Sequence, residues 1–173
     1  GDLLRSTRAR AAEMLGADIG EVALIGPTTA GLSAVAAGLD WQAGDEVLIY
    51  QDDFPVNVYP WQPLESRGVV VRRLQTQALG QITPEIVIEQ LNAKTRLVAL
   101  ASCHFVSGWR IDHHAIGREL RERNVLFCLD AIQTLGAFPT TVEHIDFLAA
   151  DSHKWLLGPC AAGVFYVRHE LQD

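Results

Sequence analysis

Residues 145–168, IDFLAADSHKWLLGPCAAGVFYVR, decide how this chain folds. Two apolar runs, IDFLAA and AGVFYVR, read as strands, because short runs rich in branched and aromatic residues between turn signals suit a buried sheet. Between them lies HKWLLGPCA, interrupted by the Gly158-Pro159 pair. Parallel neighbours need a crossover of about a dozen residues or more, usually a helix. This connection has no room for one, so one strand here is expected to run antiparallel.

Working outward, the rest of the chain alternates. Leu3, Leu4, Ala11, Ala12 and Leu15 recur at helical spacing with Arg5, Arg8 and Arg10 between them, and Gly16 is placed to end that helix. Short runs rich in Val, Ile and Leu then take turns with helical segments: EVALI, TAGLSAVAAGL, EVLIY, a segment around PWQPLESRG, VVVRRL, PEIVIEQLN, RLVALAS, HHAIGRELRERN and VLFCLD. RLVALA and VLFCLD are apolar at nearly every position, as parallel strands covered by helices on both faces are. An α/β domain spanning 1–173 as one unit is expected, without internal repeat or low-complexity linker.

Bulk properties narrow the function classes. The 173 residues carry 14 basic and 21 acidic side chains, a net charge of -7, which argues against general nucleic-acid or membrane-surface binding. Cys103, Cys128 and Cys160 are too few and too scattered for a disulfide framework or a metal knuckle, and a reducing cytoplasm is the expected setting. The first residues lack the apolar stretch of a signal peptide and no later run would span a bilayer, so a soluble protein is expected. His113 and His114 lack metal-ligand spacing, and no metal is expected.

In an open α/β sheet, ligands gather beyond the carboxyl ends of the strands, where helix N-termini present unpaired N–H groups. Lys154 follows such a strand, in DSHKW. Taken alone it reads as an exposed turn lysine, but a desolvated amine there is the group that attacks an aldehyde. Asp130 ends VLFCLD, an apolar run that rarely finishes on an unpartnered charge. It suits a protonated pyridine nitrogen, and equally a helix cap. Gln133, three residues on, is within reach of the same ligand. Thr28 and Thr29 open a small-residue helix and suit a phosphate or a plain N-cap; the Gly-Lys-Ser/Thr of a P-loop is absent. Phe54, in DDFPVNVYPW, is placed to stack on a planar ring, although core packing is the commoner fate of a phenylalanine. Asn57 and His104 are substrate candidates. So is Arg110, for which an ion pair with Asp112 is the competing reading. Cys103 reads as a buried, inert thiol.

Together, TT before a helix, FPxNxYPW, DxxQ after an apolar strand and DFLAADSHKWLLGP resemble the class V aminotransferase and cysteine desulfurase family of fold-type I pyridoxal-phosphate enzymes. The resemblance implies a three-layer α/β/α domain whose mostly parallel sheet has about seven strands, one antiparallel. It also implies that Lys154 bonds pyridoxal 5'-phosphate as a Schiff base, Asp130 pairs with the ring nitrogen, Gln133 approaches the phenolic oxygen and Phe54 stacks on the ring. Thr28, Thr29 and His153 would hold the phosphate. Desulfurases carry serine three residues before the lysine, whereas this chain has Asp151, so the resemblance assigns the phosphate-facing hydroxyl to Ser152. It further implies an amino acid substrate, a homodimer, and a smaller C-terminal domain that is absent from 1–173. Aminotransferase-like chemistry ranks first, followed by a kynureninase-like lyase, a cysteine desulfurase or an epimerase. A non-catalytic cofactor-binding or dimerisation domain is the alternative of another class.

Overall fold

The computed structural model describes residues 1–172. Its seven strands are β1 (Val22–Ile25), β2 (Glu46–Ile49), β3 (Val70–Arg73), β4 (Thr95–Ala101), β5 (Leu126–Asp130), β6 (Phe147–Ala150) and β7 (Gly163–Val167). They form one sheet in the order β1-β7-β6-β5-β4-β2-β3. The pairs from β6 across to β3 are parallel; β7 is antiparallel to both β6 and β1. The short connection read from 145–168 is the cause: with no crossover helix, the chain turns back at 151–162 and re-enters the sheet reversed.

Four helices cover the sheet: α1 (Asp2–Leu15), α2 (Thr28–Gly38), α3 (Pro84–Glu89) and α4 (His113–Glu122). Side chains alternate between the faces of a strand, and the core divides accordingly. Leu48, Val98, Leu100, Phe127 and Leu129 face one way and pack with Leu15, Val87, Ile116 and Leu120 from α1, α3 and α4. Val47, Ile49, Leu97, Ala99 and Phe147 face the other way and pack with Leu32 and Val35 of α2 and with Trp61 and Leu64. Each such burial stabilises by about 1.5–3 kcal/mol. Both faces of the sheet are thereby spoken for, which is why its strands lack a polar side.

The segment around PWQPLESRG is a 3-10 helix, Gln62–Arg67, rather than an α-helix. Pro60 and Pro63 remove two backbone donors in quick succession, and Gly68 closes the element at φ 81°. Two close approaches set the carboxyl edge of the sheet. A Cβ on Gly31 would lie 2.7 Å from the Ala149 Cβ, so α2 rides directly on β6 and brings Thr28 beside the end of that strand. A Cβ on Gly136, itself at φ 94°, would lie 2.6 Å from the Trp155 carbonyl oxygen. Glycine there lets the turn that carries Lys154 sit against the loop after β5.

Candidate active site

A cavity of about 300 Å³ opens where β2, β4, β5 and β6 end. Lys154, Asp130, Gln133, Phe54, Asn57, Thr28, Thr29 and His153 all line it, so the structure gathers eight of the residues singled out in the sequence. Lys154 stands half-buried on the turn after β6, its Nζ 5.9 Å from the centroid of the Phe54 ring. Phe54 is 48% exposed and meets Phe105 edge to face at 5.4 Å, leaving a ring face toward the cavity mouth.

Asp130 is buried at the end of β5. Its Oδ1 accepts the backbone N–H of Ile132 at 2.9 Å, and its Oδ2 accepts the Asn57 Nδ2 at 3.0 Å. Burial pushes its carboxyl up to about 6; the two donors and Lys154 pull the other way, while Asp53 adds to the rise. Among the described residues, no cation makes an ion pair with it. A buried acid served only by neutral donors, in a cavity wall, fits a cationic ring that arrives from outside.

Around Lys154 the backbone is held by another carboxylate. Asp151 accepts the N–H groups of Ser152 at 2.7 Å, Ala161 at 3.1 Å and Ala162 at 3.3 Å, and His153 Nδ1 at 2.9 Å. Burial raises its pKa but these donors outweigh it, and the carboxyl lies below its ordinary value. Thr28 Oγ1 in turn accepts the Asp151 N–H at 2.9 Å, tying the start of α2 to the lysine turn. Leu157 and Ala161 sit at φ 55° and 61°, left-handed conformations that non-glycine residues hold only when their surroundings impose them. Asp151 also lines the cavity, with both its oxygens engaged by the loop N–H groups and by His153.

Three expected site residues lie elsewhere. The Ser152 hydroxyl donates to the Pro159 carbonyl at 2.8 Å and does not line the cavity. His153 and Lys154 line the cavity, whereas the Ser152 hydroxyl is turned onto the 158–162 loop. His104 is buried beneath the site; its Nδ1 accepts the Ser107 N–H at 3.1 Å, which leaves Nε2 to donate to the Asp52 carbonyl at 2.9 Å. Arg110 stacks its guanidinium over Phe138 at 4.4 Å. Its expected partner Asp112 instead caps α4 by accepting the Ala115 N–H.

Sequence reasoning missed Asp53 and Phe105, both cavity-lining. Asp53 is buried, with a carboxyl raised chiefly by burial, and its Oδ1 accepts the Phe54 N–H at 2.7 Å. The signal was available: Asp53 follows β2 as closely as the other site residues follow their strands. A second hollow, about 450 Å³, lies at the far end of α2; its Arg8 and Glu21 are spent on backbone groups. No group of three or more His, Cys, Asp or Glu among the described residues is arranged to hold a metal.

Sheet order and cleft define a class: an open, mostly parallel α/β domain with a lysine, a buried acid and an aromatic ring facing one cavity at the strand ends. The chain belongs to the aminotransferase class-V family, whose model matches residues 1–173. A probable cysteine desulfurase of Methanothermobacter thermautotrophicus is 30% identical over 171 residues, covering 98% of this chain and 43% of its own length. Among solved structures, the cystine C-S lyase C-DES in complex with its reaction product cysteine persulfide is 27% identical with a TM-score of 0.90; the match covers 98% of this chain and 47% of that one. A C-DES mutant with glycine covalently linked to its PLP cofactor is 25% identical, with a TM-score of 0.89 and coverage of 98% and 46%. The chain thus spans under half the length of these relatives.

Proposed function

We propose that residues 1–173 are the cofactor-binding large domain of a pyridoxal-phosphate-dependent enzyme acting on an amino acid, with Lys154 as the residue that bonds the cofactor. One observation carries this reading: a half-buried amine and a buried acid without a cationic partner face the same cavity across a half-exposed aromatic ring.

When bound, the cofactor supplies an electron-withdrawing ring that takes up negative charge from the substrate's α-carbon. Asp130 holds a proton at the ring nitrogen, and its buried charge acts where water does not screen it. Lys154, on its braced turn, takes and returns the proton at the α-carbon. Phe54 offers its face to the ring. The Thr28 oxygen is an acceptor for Asp151, which leaves its O–H free to donate to a phosphate, beside Thr29, His153 and the first N–H groups of α2. Gln133 supplies a side-chain donor toward the phenolic oxygen.

Transfer of the amino group is the first reading, in line with the family. Carbon–sulfur cleavage of a cysteine-type substrate is the second, favoured by the similarity to a desulfurase and to a C-S lyase. The exposed aromatic rim of Phe54, Phe105 and Trp155 supports a homodimer that covers the cleft. Three free cysteines support a cytoplasmic setting, and no helix among the described residues is long and apolar enough to cross a membrane.

The test is covalent. After incubation with pyridoxal phosphate and borohydride reduction, peptide mapping of the chain should place the pyridoxyl group on Lys154 and find none in Lys154→Ala. Equal labelling of Lys94, the one other lysine, or no labelling at all, overturns the reading.

A further inference from the structure

Asn57 lies in a 3-10 turn, Pro55–Asn57, after β2, while Asp130 ends β5. These strands are not neighbours: β4 lies between them. The Asn57 side chain therefore bridges to Asp130 across the end of β4, where Ala101, also in the cavity wall, is small enough to leave room. Asn57 is only 4% exposed, so its carboxamide is withdrawn from solvent and one N–H is spent on Asp130 Oδ2.

The chemistry of that choice is specific. A carboxamide nitrogen donates and never accepts, so Asp130 always meets it as an acceptor. With Oδ1 held by the Ile132 N–H, the carboxylate has no freedom to rotate. Asp53 stands in the same wall, and Asn57 also acts to lower its carboxyl. One amide thus serves two buried acids that would otherwise each favour protonation. A protonated Asp130 would carry an O–H of its own and could not pair as an anion with a cationic ring.

We propose that Asn57 is a positioning residue: it bridges β2 to β5 and holds Asp130 as a fixed, proton-free acceptor for a cationic aromatic ring nitrogen. This reassigns Asn57 from a substrate contact to a group acting through Asp130, and it rests on the cofactor reading above.

The test compares the wild-type chain with Asn57→Ala and with the uncharged, near-isosteric Asn57→Leu, which removes the donor without removing much volume. In the cofactor-free chain, carboxyl 13C NMR with Asp130→Asn as the assignment control should show the Asp130 midpoint rising by about one pH unit in Asn57→Ala. Binding of pyridoxal phosphate should weaken roughly tenfold, as expected for losing a hydrogen bond to a charged group. Binding of the 1-deaza analogue, which lacks the ring nitrogen, should change less than about twofold. An unmoved Asp130 midpoint overturns the proposal, and so does equal weakening toward both ligands, the pattern of a merely structural residue. If Asn57→Ala does not fold, the same two comparisons are made on Asn57→Leu. A wild-type chain that binds neither ligand overturns the cofactor reading and the positioning role with it, whereas failure confined to the variants overturns the positioning role alone.

Discussion

The Asp151 carboxylate meets the His153 ring at 2.9 Å between Oδ2 and Nδ1, and with the same two oxygens it gathers the N–H groups of Ser152, Ala161 and Ala162. One acid therefore shapes the turn on which Lys154 stands. Its pKa is lowered, so the stability it contributes is present above the ordinary carboxylate value of 3.8 and is lost as pH falls. Asp151→Ala should cost about 2–3 kcal/mol in urea unfolding at pH 7, with the gap to wild type narrowing below about pH 4. A gap that persists unchanged in acid would assign the loss to packing instead.

Asp130 has the opposite sign. Its pKa is raised from 3.8 to about 6, so its contribution to stability is fully present below the ordinary value and is lost as pH climbs through about 6. Asp130→Asn should therefore stabilise the cofactor-free chain at pH 8, by at most about 3 kcal/mol at roughly 1.4 kcal/mol per pH unit. At pH 4 the two proteins should unfold at nearly the same urea concentration. A less stable variant at pH 8 would mean that the Ile132 and Asn57 donors outweigh burial.

Gly136→Ala places a methyl group against the Trp155 carbonyl and asks alanine to hold φ 94°. Because that contact is with backbone, relief has to come from the lysine turn itself. A loss of about 2–4 kcal/mol is expected, together with faster tryptic cleavage after Lys154, read by mass spectrometry of timed digests. Unchanged cleavage would show that the strain is absorbed in the loop after β5.

Phe54 separates binding from stability. At 48% exposure it adds little to the core, so Phe54→Ala should cost less than about 1 kcal/mol in unfolding. The same variant should weaken pyridoxal phosphate binding about 3- to 10-fold, as expected when an aromatic pair is lost, measured by equilibrium dialysis. Loss of stability without loss of binding would place the ring in the core's service.

The site was legible where position along the chain is enough to set it. Asp130 ends a strand and Lys154, Thr28 and Phe54 each follow one, and strands running the same way deliver their carboxyl ends to one edge. The direction of individual side chains was not legible. Ser152 was expected to face the phosphate, yet one residue's difference along the turn sends its hydroxyl to Pro159. Arg110 has Asp112 two residues away, but the acid caps α4 and the guanidinium finds Phe138, 28 positions downstream.

By itself the sequence determined the alternation of strands and helices, the reversal of β7 and the gathering of the lysine and the acid at one edge, because these follow from local periodicity and from how short a connection can be. Only the tertiary structure decided which polar groups answer one another: Asn57 with Asp130 across β4, Thr28 with Asp151, His153 turned in and Ser152 turned out. Hydrogen bonds act over about 3 Å, and partners as much as 123 positions apart become neighbours only after the sheet has set their register.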